Sequence, residues 1–213
     1  MNNNLIIKHL RQYKPKDILD YGCGTGSLPY EDYPELNFTA ADKRGLESQL
    51  SSYENVNFVE IDDHKTQSFI PFSDNQFDFI ILRFVLEHVP NPLFYIKEAE
   101  RISKSGGRIF ISVPNYKSFQ DRIFRLATKI AGSKQGPHIQ KFTFFNINQL
   151  IYDDSNLRLE DFFVSESGFT FMLSNPILKY FHKTWLKYLN YLKKVGFNLL
   201  KDSDYYLLYI NCK

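Results

Sequence analysis

Between residues 17 and 113 the chain alternates short apolar runs with helical stretches, and this alternation restricts the fold class more than any single motif. The runs are Asp17 to Tyr21, Phe38 to Ala41, Val56 to Ile61, Phe77 to Leu82 and Arg108 to Val113. A helical stretch around Gly45 to Tyr53 separates the second run from the third. A helix from Leu93 to Ser103, with apolar positions three or four apart, leads through a Gly106-Gly107 turn into the fifth. Nearly continuous apolar runs describe strands buried on both faces, and the helices between them return the chain for parallel pairing. Residues 15–115 are therefore expected to form a doubly wound α/β fold. A short amphipathic helix over residues 5–13 precedes it and ends at Pro15.

After Pro114 the rhythm changes. Residues 121–131 have a helical pattern with Arg122, Arg125 and Lys129 on the polar side, followed by a loop, residues 132–140, rich in Gly, Ser and Lys; together they read as an inserted helical cap. Phe145 to Ile151 reads as a helix, Leu159 to Ser165 as a strand and Asp204 to Cys212 as a final strand. Between those strands lies a long helix, Pro176 to Val195. Ile177, Tyr180, Phe181, Trp185, Tyr188, Leu189, Tyr191 and Leu192 share one side of it, and Lys179, Lys183, Lys187 and Lys194 form a stripe opposite. Such a helix either docks on the sheet or cap with a solvated face, or lies on an anionic membrane surface with its lysines at the headgroups. A basic helix bearing aromatics can also meet nucleic acid.

Charge follows the same division. Residues 1–115 carry 12 Lys/Arg against 16 Asp/Glu and residues 116–213 carry 14 against 8, so the halves have net charges of −4 and +6. The basic half is suited to an anionic surface or substrate. The 213 residues suit one globular domain, and ordinary Gly and Pro usage excludes disordered and collagen-like classes. Cys23 and Cys212 are too few for a disulfide framework and belong to no Cys/His cluster, so a reducing cytoplasm is expected and no metal. No run of about 18 apolar residues occurs and residues 1–13 do not read as a signal peptide, so neither a spanning helix nor a leader is expected.

The segment ILDYGCGTGSLP, Ile18 to Pro29, carries the chemistry. A strand ends on Asp20 and enters Gly22, Gly24 and Gly26, whose alternate spacing lets the backbone turn sharply and leaves room for a ligand against it. As a dinucleotide fingerprint the match is imperfect, because the third glycine of that pattern would fall on Ser27. A phosphate-binding turn has no use for the carboxylate before the first glycine; a ligand bearing an ammonium group does.

DYGCGTG resembles motif I of the class I S-adenosylmethionine-dependent methyltransferases, and later segments follow the type 11/23-like small-molecule group of that family in order. The resemblance extends over PFSDNQFDFIILRFVLEHVPNP (residues 71–92), similar to the family's fourth strand and following loop. ERISKSGGRIFISVPN (residues 100–115) is similar to its helix, glycine turn and fifth strand, and HIQKFTFFNINQL (residues 138–150) resembles the lead into its next helix. The resemblance implies a mostly parallel seven-stranded Rossmann-like sheet over a single domain, residues 1–213. The cofactor half would be residues 15–115, and helical caps over residues 116–140 and 176–200 would shape the acceptor site. It implies S-adenosylmethionine as cofactor, with Asp42 on the ribose hydroxyls and one of Asp62 and Asp63, preferably Asp62, on the adenine amino group. The implied cofactor set is Asp20, Gly22, Cys23, Gly24, Gly26, Asp42, Lys43, Asp62, Asp63, Arg83 and Phe84. Two departures stand out: Pro29 and Pro34 leave the first helix hardly two turns, and Arg83 stands where a small or polar residue is usual. Arg83 is read as reaching the methionine carboxylate or an acidic substrate.

Transfer from a sulfonium needs mainly alignment of the nucleophile and exclusion of water, with a base if the acceptor is a hydroxyl. His138 beside the basic loop and His88 in LEHVPNP are the candidates for that base, while His9, His64 and His182 carry no functional assignment. Tyr116 either packs or lines the acceptor pocket. The strand-four exit LRFV lacks the signature of adenine amino methyltransferases and the chain has no Pro-Cys pair, which argues against a DNA base as substrate. The expected activity is methyl transfer, at oxygen, to a small-molecule, glycan or lipid-linked acceptor by a protein that is cytoplasmic or peripheral to the membrane. The rivals are a nucleoside-binding partner or sensor that transfers nothing, and a nicotinamide-dependent oxidoreductase.

Overall fold

A computed structural model describes residues 3–26, 28–42, 50, 52–61, 70–116, 139–165 and 204–213. In chain order the elements are α1 (Asn3–Tyr13), β1 (Asp17–Tyr21), a 3-10 turn (Tyr30–Asp32), β2 (Asn37–Asp42), β3 (Val56–Glu60) and β4 (Phe77–Arg83). Then follow α2 (Pro92–Ile102), β5 (Ser103–Pro114), α3 (Phe144–Asp154), β6 (Leu157–Ser165) and β7 (Asp204–Asn211). The strands form one seven-stranded sheet in the order β3-β2-β1-β4-β5-β7-β6. The first five pair in parallel, and β7 runs antiparallel to both β5 and β6. The expected mostly parallel seven-stranded architecture is thus the observed one. The segments expected as helical caps, with the long 176–195 helix, lie outside the described residues except for residues 116, 139 and 140.

The central strands read as they do because both of their faces are covered. Ile18, Leu19, Phe79, Ile80, Ile81, Ile109, Phe110 and Ile111 are all fully buried. Alternate side chains feed two cores. One joins Leu19, Leu82, Ile96 and Ile111 with α2 and α3, and the other joins Ile18, Ile81 and Phe110 with Ile6 and Leu10 of α1. Helix starts are capped locally: Asn91 accepts the Phe94 N–H ahead of Pro92, and Thr143 and Asn146 exchange side-chain and backbone hydrogen bonds in a capping box. Arg101 of α2 ties the loop before β4, donating to Glu98, Asp74 and the carbonyls of Ile70 and Phe72.

The Gly106-Gly107 pair departs from expectation. It does not separate helix from strand: β5 begins at Ser103, directly after α2, and takes both glycines as an irregularity opposite the Phe77/Phe79 register shift of β4. A Cβ on Gly107 would run into Ser103 and the Lys104 carbonyl, so the bulge requires glycine there.

At the N-terminal edge of the sheet the Asp78 carboxylate accepts the Lys16 and Asp17 N–H groups and pairs with Lys104, which also reaches Asp17. Ligand chemistry is therefore directed to the opposite edge, where the parallel strands end.

His9 is 1% exposed in the α1 core, its ring near Tyr13, Phe110 and Phe163, and neither ring nitrogen has a hydrogen-bond partner. Burial, reinforced by the Lys8 charge, lowers its pKa. The folded chain thus holds the imidazole neutral while the unfolded chain protonates it near the ordinary value of about 6.5. This contribution to stability is intact above that pH and is lost as pH falls below it. His9→Leu is expected to gain about 1 kcal/mol at neutral pH, the cost of an unmade hydrogen bond, and to flatten the decline in melting temperature below pH 6.5. Thermal denaturation across pH 5–8 checks both.

Candidate active site

The C-terminal ends of β1, β2, β4 and β5 and the start of β7 converge at one edge of the sheet. β1 leaves the sheet through Gly22 (φ 74°), Gly24 (φ 57°) and Gly26 (φ 80°), all in the left-handed region that favours glycine. The three serve different ends. A Cβ on Gly22 would strike Val85, and one on Gly26 would strike Leu50, so these two permit close packing; Gly24 has no atom within 4 Å of a Cβ position and faces open space.

The turn is fastened to β2. The Ala41 carbonyl accepts the Gly22 and Cys23 N–H groups at 2.7 and 3.3 Å, and Asp42 Oδ2 accepts the Gly24 N–H at 2.7 Å. The glycine loop and Asp42 thereby become one rigid unit, with the carboxylate beside the open face of Gly24. Asp20, fully buried below the turn, accepts a 2.6 Å hydrogen bond from the Tyr30 hydroxyl. Tyr30 comes from the single 3-10 turn that stands, among the described residues, where a first helix was expected to be short. Burial raises the Asp20 pKa, opposed by the Tyr30 hydrogen bond and the Arg83 charge. Burial and the charges of Asp20 and Asp42 push the Cys23 thiol far up, so it remains a neutral packing group.

β4 ends on Arg83, and Phe84 then takes φ 54°, an uncommon conformation for a bulky residue, with its N–H held by the Ser112 carbonyl at 3.0 Å. Residues 85–90 follow as a tight turn. The Glu87 carbonyl accepts the N–H groups of Ile139 and Gln140 at 2.8 and 3.0 Å, and the Gln140 side chain donates to the carbonyls of Val89 and Pro90. The Tyr116 N–H bonds to the Phe142 carbonyl, and Lys141 Nζ lies 4.8 Å from the Tyr116 ring centre. Residues 139–142 thus lace the β4 exit to the β5 exit.

Of the residues expected at the site, Asp20, Gly22, Cys23, Gly24, Gly26, Asp42, Arg83, Phe84 and His88 fall at this edge; Lys43, Asp62, Asp63 and His138 lie outside the described residues. The side chain of His88 is about half exposed, with Nε2 3.9 Å from Glu87 Oε1. Sequence reasoning missed Glu87 itself, which is 1% exposed, with Oε2 lacking any hydrogen-bond partner. Burial, with the negative charge of Asp204 at the start of β7, pushes its pKa up to about 8. In the sequence Glu87 stands with His88 as a polar pair between Leu86 and Val89, and nothing there marks it as buried.

Two surface hollows lie elsewhere and are chemically quiet. One of about 370 Å³ lies at the N-terminal edge, where Lys104 is already paired with Asp17 and Asp78, and Arg108 with Glu160. The other, about 400 Å³, is lined by Glu31, Tyr53 and Asn55. Among the described residues no group of three His, Cys, Asp or Glu could hold a metal, and no helix is long and apolar enough to cross a membrane. For the S-adenosylmethionine that the motif resemblance implies, the residues fit: an open backbone face at Gly24, an adjoining carboxylate at Asp42, and the Arg83 cation.

Three variants test this geometry. Gly22→Ala meets both Val85 and an unfavourable φ and is expected to cost about 2–4 kcal/mol in denaturant unfolding, whereas Gly24→Ala, which meets only the φ penalty, costs about 1 kcal/mol. Glu87→Gln relieves a buried acid. The folded wild type keeps Glu87 protonated up to about pH 8 while the unfolded chain ionises it near 4.5, so wild-type stability is lost as pH rises between those values. The melting temperature of Glu87→Gln relative to wild type is expected to climb over that window and level off above it.

Known proteins resemble this chain to graded degrees. An uncharacterized protein of Methanocaldococcus jannaschii is 30% identical over 126 residues, which are 55% of this chain and 55% of that one, so the match spans about half of that relative. The ubiquinone biosynthesis O-methyltransferase of Hydrogenovibrio crunogenus is 28% identical over 200 residues, 87% of this chain and 77% of that one. The crystal structure of a SAM-dependent methyltransferase from Methanosarcina mazei shares the fold, with a TM-score of 0.63 at 18% identity, covering 96% of each chain. The model of a family described as a methyltransferase domain matches residues 5–161, from within α1 into β6 and well over half of the chain, and the protein belongs to that family.

Proposed function

We propose that this methyltransferase uses S-adenosylmethionine to methylate a hydroxyl group of a small amphipathic acceptor. The observation that carries the cofactor reading is the unit of glycine turn and Asp42, with Gly24 facing open space beside a carboxylate held at 2.7 Å. Bound there, the cofactor supplies a methyl group on a sulfonium leaving group. Asp42 is suited to the ribose hydroxyls, as a carboxylate at the end of a second strand is in nucleoside sites. The Gly24 backbone lets the ligand approach, and Arg83 is suited to the carboxylate of the methionine portion. What remains for the protein is to align the acceptor oxygen and exclude water.

The acceptor reading rests on two observations. The relative that matches 87% of this chain is named for O-methylation in ubiquinone biosynthesis. On the β5-β7-β6 side of the sheet, Phe145 and Phe162 are exposed, the Phe144 ring packs between Phe162 and Tyr205 of β7, and Ile139, bonded to the Glu87 carbonyl, is exposed as well. Exposed apolar groups on this side of the sheet suit an acceptor with a hydroxylated head and a greasy body, delivered as a free small molecule or from a membrane surface.

Isothermal calorimetry with S-adenosylmethionine, S-adenosylhomocysteine and NAD tests the cofactor. Micromolar binding of the first two, no binding of NAD, and roughly 10- to 100-fold weaker binding by Asp42→Ala are expected, the loss of a charged hydrogen-bonding partner. NAD binding without either sulfur nucleoside overturns the assignment. Formation of S-adenosylhomocysteine over a panel of catechols, phenols, glycosides and amines then tests the acceptor, and turnover confined to amines overturns the hydroxyl reading.

A further inference from the structure

We infer that Glu87 is the residue that takes the proton from the acceptor hydroxyl, a role that rests on the reading of a hydroxyl acceptor given above. Four observations lead there. Glu87 lies four residues past Arg83, on the turn at the exit of β4. Its carboxyl group is buried at 1% exposure, and among the described residues Oε2 has no hydrogen-bond partner. Its main chain is not free to swing the group outward, because its carbonyl is clamped by the N–H groups of both Ile139 and Gln140. A second polar atom at this edge, Ser112 Oγ on the neighbouring β5, is likewise buried without a partner.

A buried carboxylate oxygen with no donor is an expensive arrangement that calls for an explanation, and on the turn at the exit of β4 a reacting hydroxyl supplies one. A hydroxyl arriving from the acceptor supplies the missing donor. The charged and titratable groups around the carboxyl are His88 on the same turn, with Nε2 3.9 Å from Oε1, and Asp204 at the start of β7. With burial, Asp204 favours the protonated form, so a carboxyl that is a weak base in water becomes one matched to neutral conditions, near pKa 8. Neither histidine proposed from the sequence has these properties in the described residues: the side chain of His88 is about half exposed and His138 lies outside them.

The step balances without another reactant. The acceptor oxygen forms its bond to the methyl carbon as the methyl–sulfur bond breaks. The electron pair of that bond stays on sulfur, and the hydroxyl proton passes to Glu87 Oε2. Proton release to solvent afterwards resets the carboxylate.

The test measures kcat/KM for methylation of a catechol probe, 3,4-dihydroxybenzoate, between pH 6 and 9.5, in wild type, Glu87→Gln and Glu87→Asp. S-Adenosylmethionine affinity is measured by calorimetry in each. Wild type is expected to gain about tenfold per pH unit up to about 8 and then level off. Glu87→Gln is expected to lose about 100-fold or more and the rising limb with it, while cofactor affinity is unchanged and the fold is as stable as wild type or more so. Glu87→Asp restores a rising limb at reduced rate. Infrared difference titration, which needs no acceptor, is expected to show a carboxyl group titrating near pH 8 in wild type and absent from Glu87→Gln.

The two readings fail in different ways. A wild-type protein that binds the cofactor but methylates no hydroxyl overturns the acceptor reading and the role of Glu87 together. Turnover in which Glu87→Gln keeps the wild-type rate and pH profile, or loses rate only in step with cofactor affinity, overturns the role of Glu87 alone.

Discussion

Three N–H groups of the glycine turn end on two acceptors at the end of β2: Gly22 and Cys23 on the Ala41 carbonyl, and Gly24 on Asp42. Much of the site depends on that junction. It joins the exits of two parallel strands that would otherwise diverge with the sheet twist, and it holds the carboxylate beside the open backbone face. It also brings Gly22 so close to the β4 exit that Val85 fills the space a side chain would need. The β4 exit is in turn tied to residues 139–142 through Glu87 and Gln140. The glycine turn, the β4 exit and residues 139–142 are therefore one connected framework.

Electrostatics at this edge follow from where the strands end. Asp20, Asp42, Glu87 and Asp204 all lie at exits or starts on the same side of the sheet, and burial separates their behaviour. Asp20 is locked by Tyr30 and faced by the Arg83 charge. Burial raises the Glu87 carboxyl as it does Asp20; a hydrogen bond from its own backbone N–H offsets this only in part, and Asp204 adds to it, so Glu87 stays protonated into the neutral range. Carboxyl groups on one edge are thus set to different tasks by their surroundings. The opposite edge shows the contrasting case: burial raises Asp78 too, but the donors from Asp17, Lys104 and Lys16 together outweigh it and its pKa falls.

Much of the fold was legible because strand burial leaves a direct mark on sequence. The run FDFIILR has no polar alternation after Asp78, and it is a central strand covered on both faces. The Gly106-Gly107 pair was misread because glycine marks both a turn and a strand bulge; only the packing of Ser103 against Gly107 distinguishes them. At the site, the glycine turn was legible from its spacing, since the backbone there takes conformations that favour glycine, whereas Asp42 followed from the resemblance to the methyltransferase motifs. Glu87 was not: an acid in a loop carries no sign of its burial, and the histidine beside it is the more conspicuous residue.

The sequence by itself determined the order of elements, the parallel core and the glycine turn, because these depend on local periodicity and on backbone conformations that few residues adopt. Only the tertiary structure decided which polar groups are compensated. Tyr30 reaching Asp20, the Ala41 carbonyl taking two N–H groups, and the burial of Glu87 Oε2 away from any donor among the described residues all depend on contacts between segments distant in sequence. Burial and the field of neighbouring charges, which set the chemistry of a carboxyl group, exist only once those segments have met.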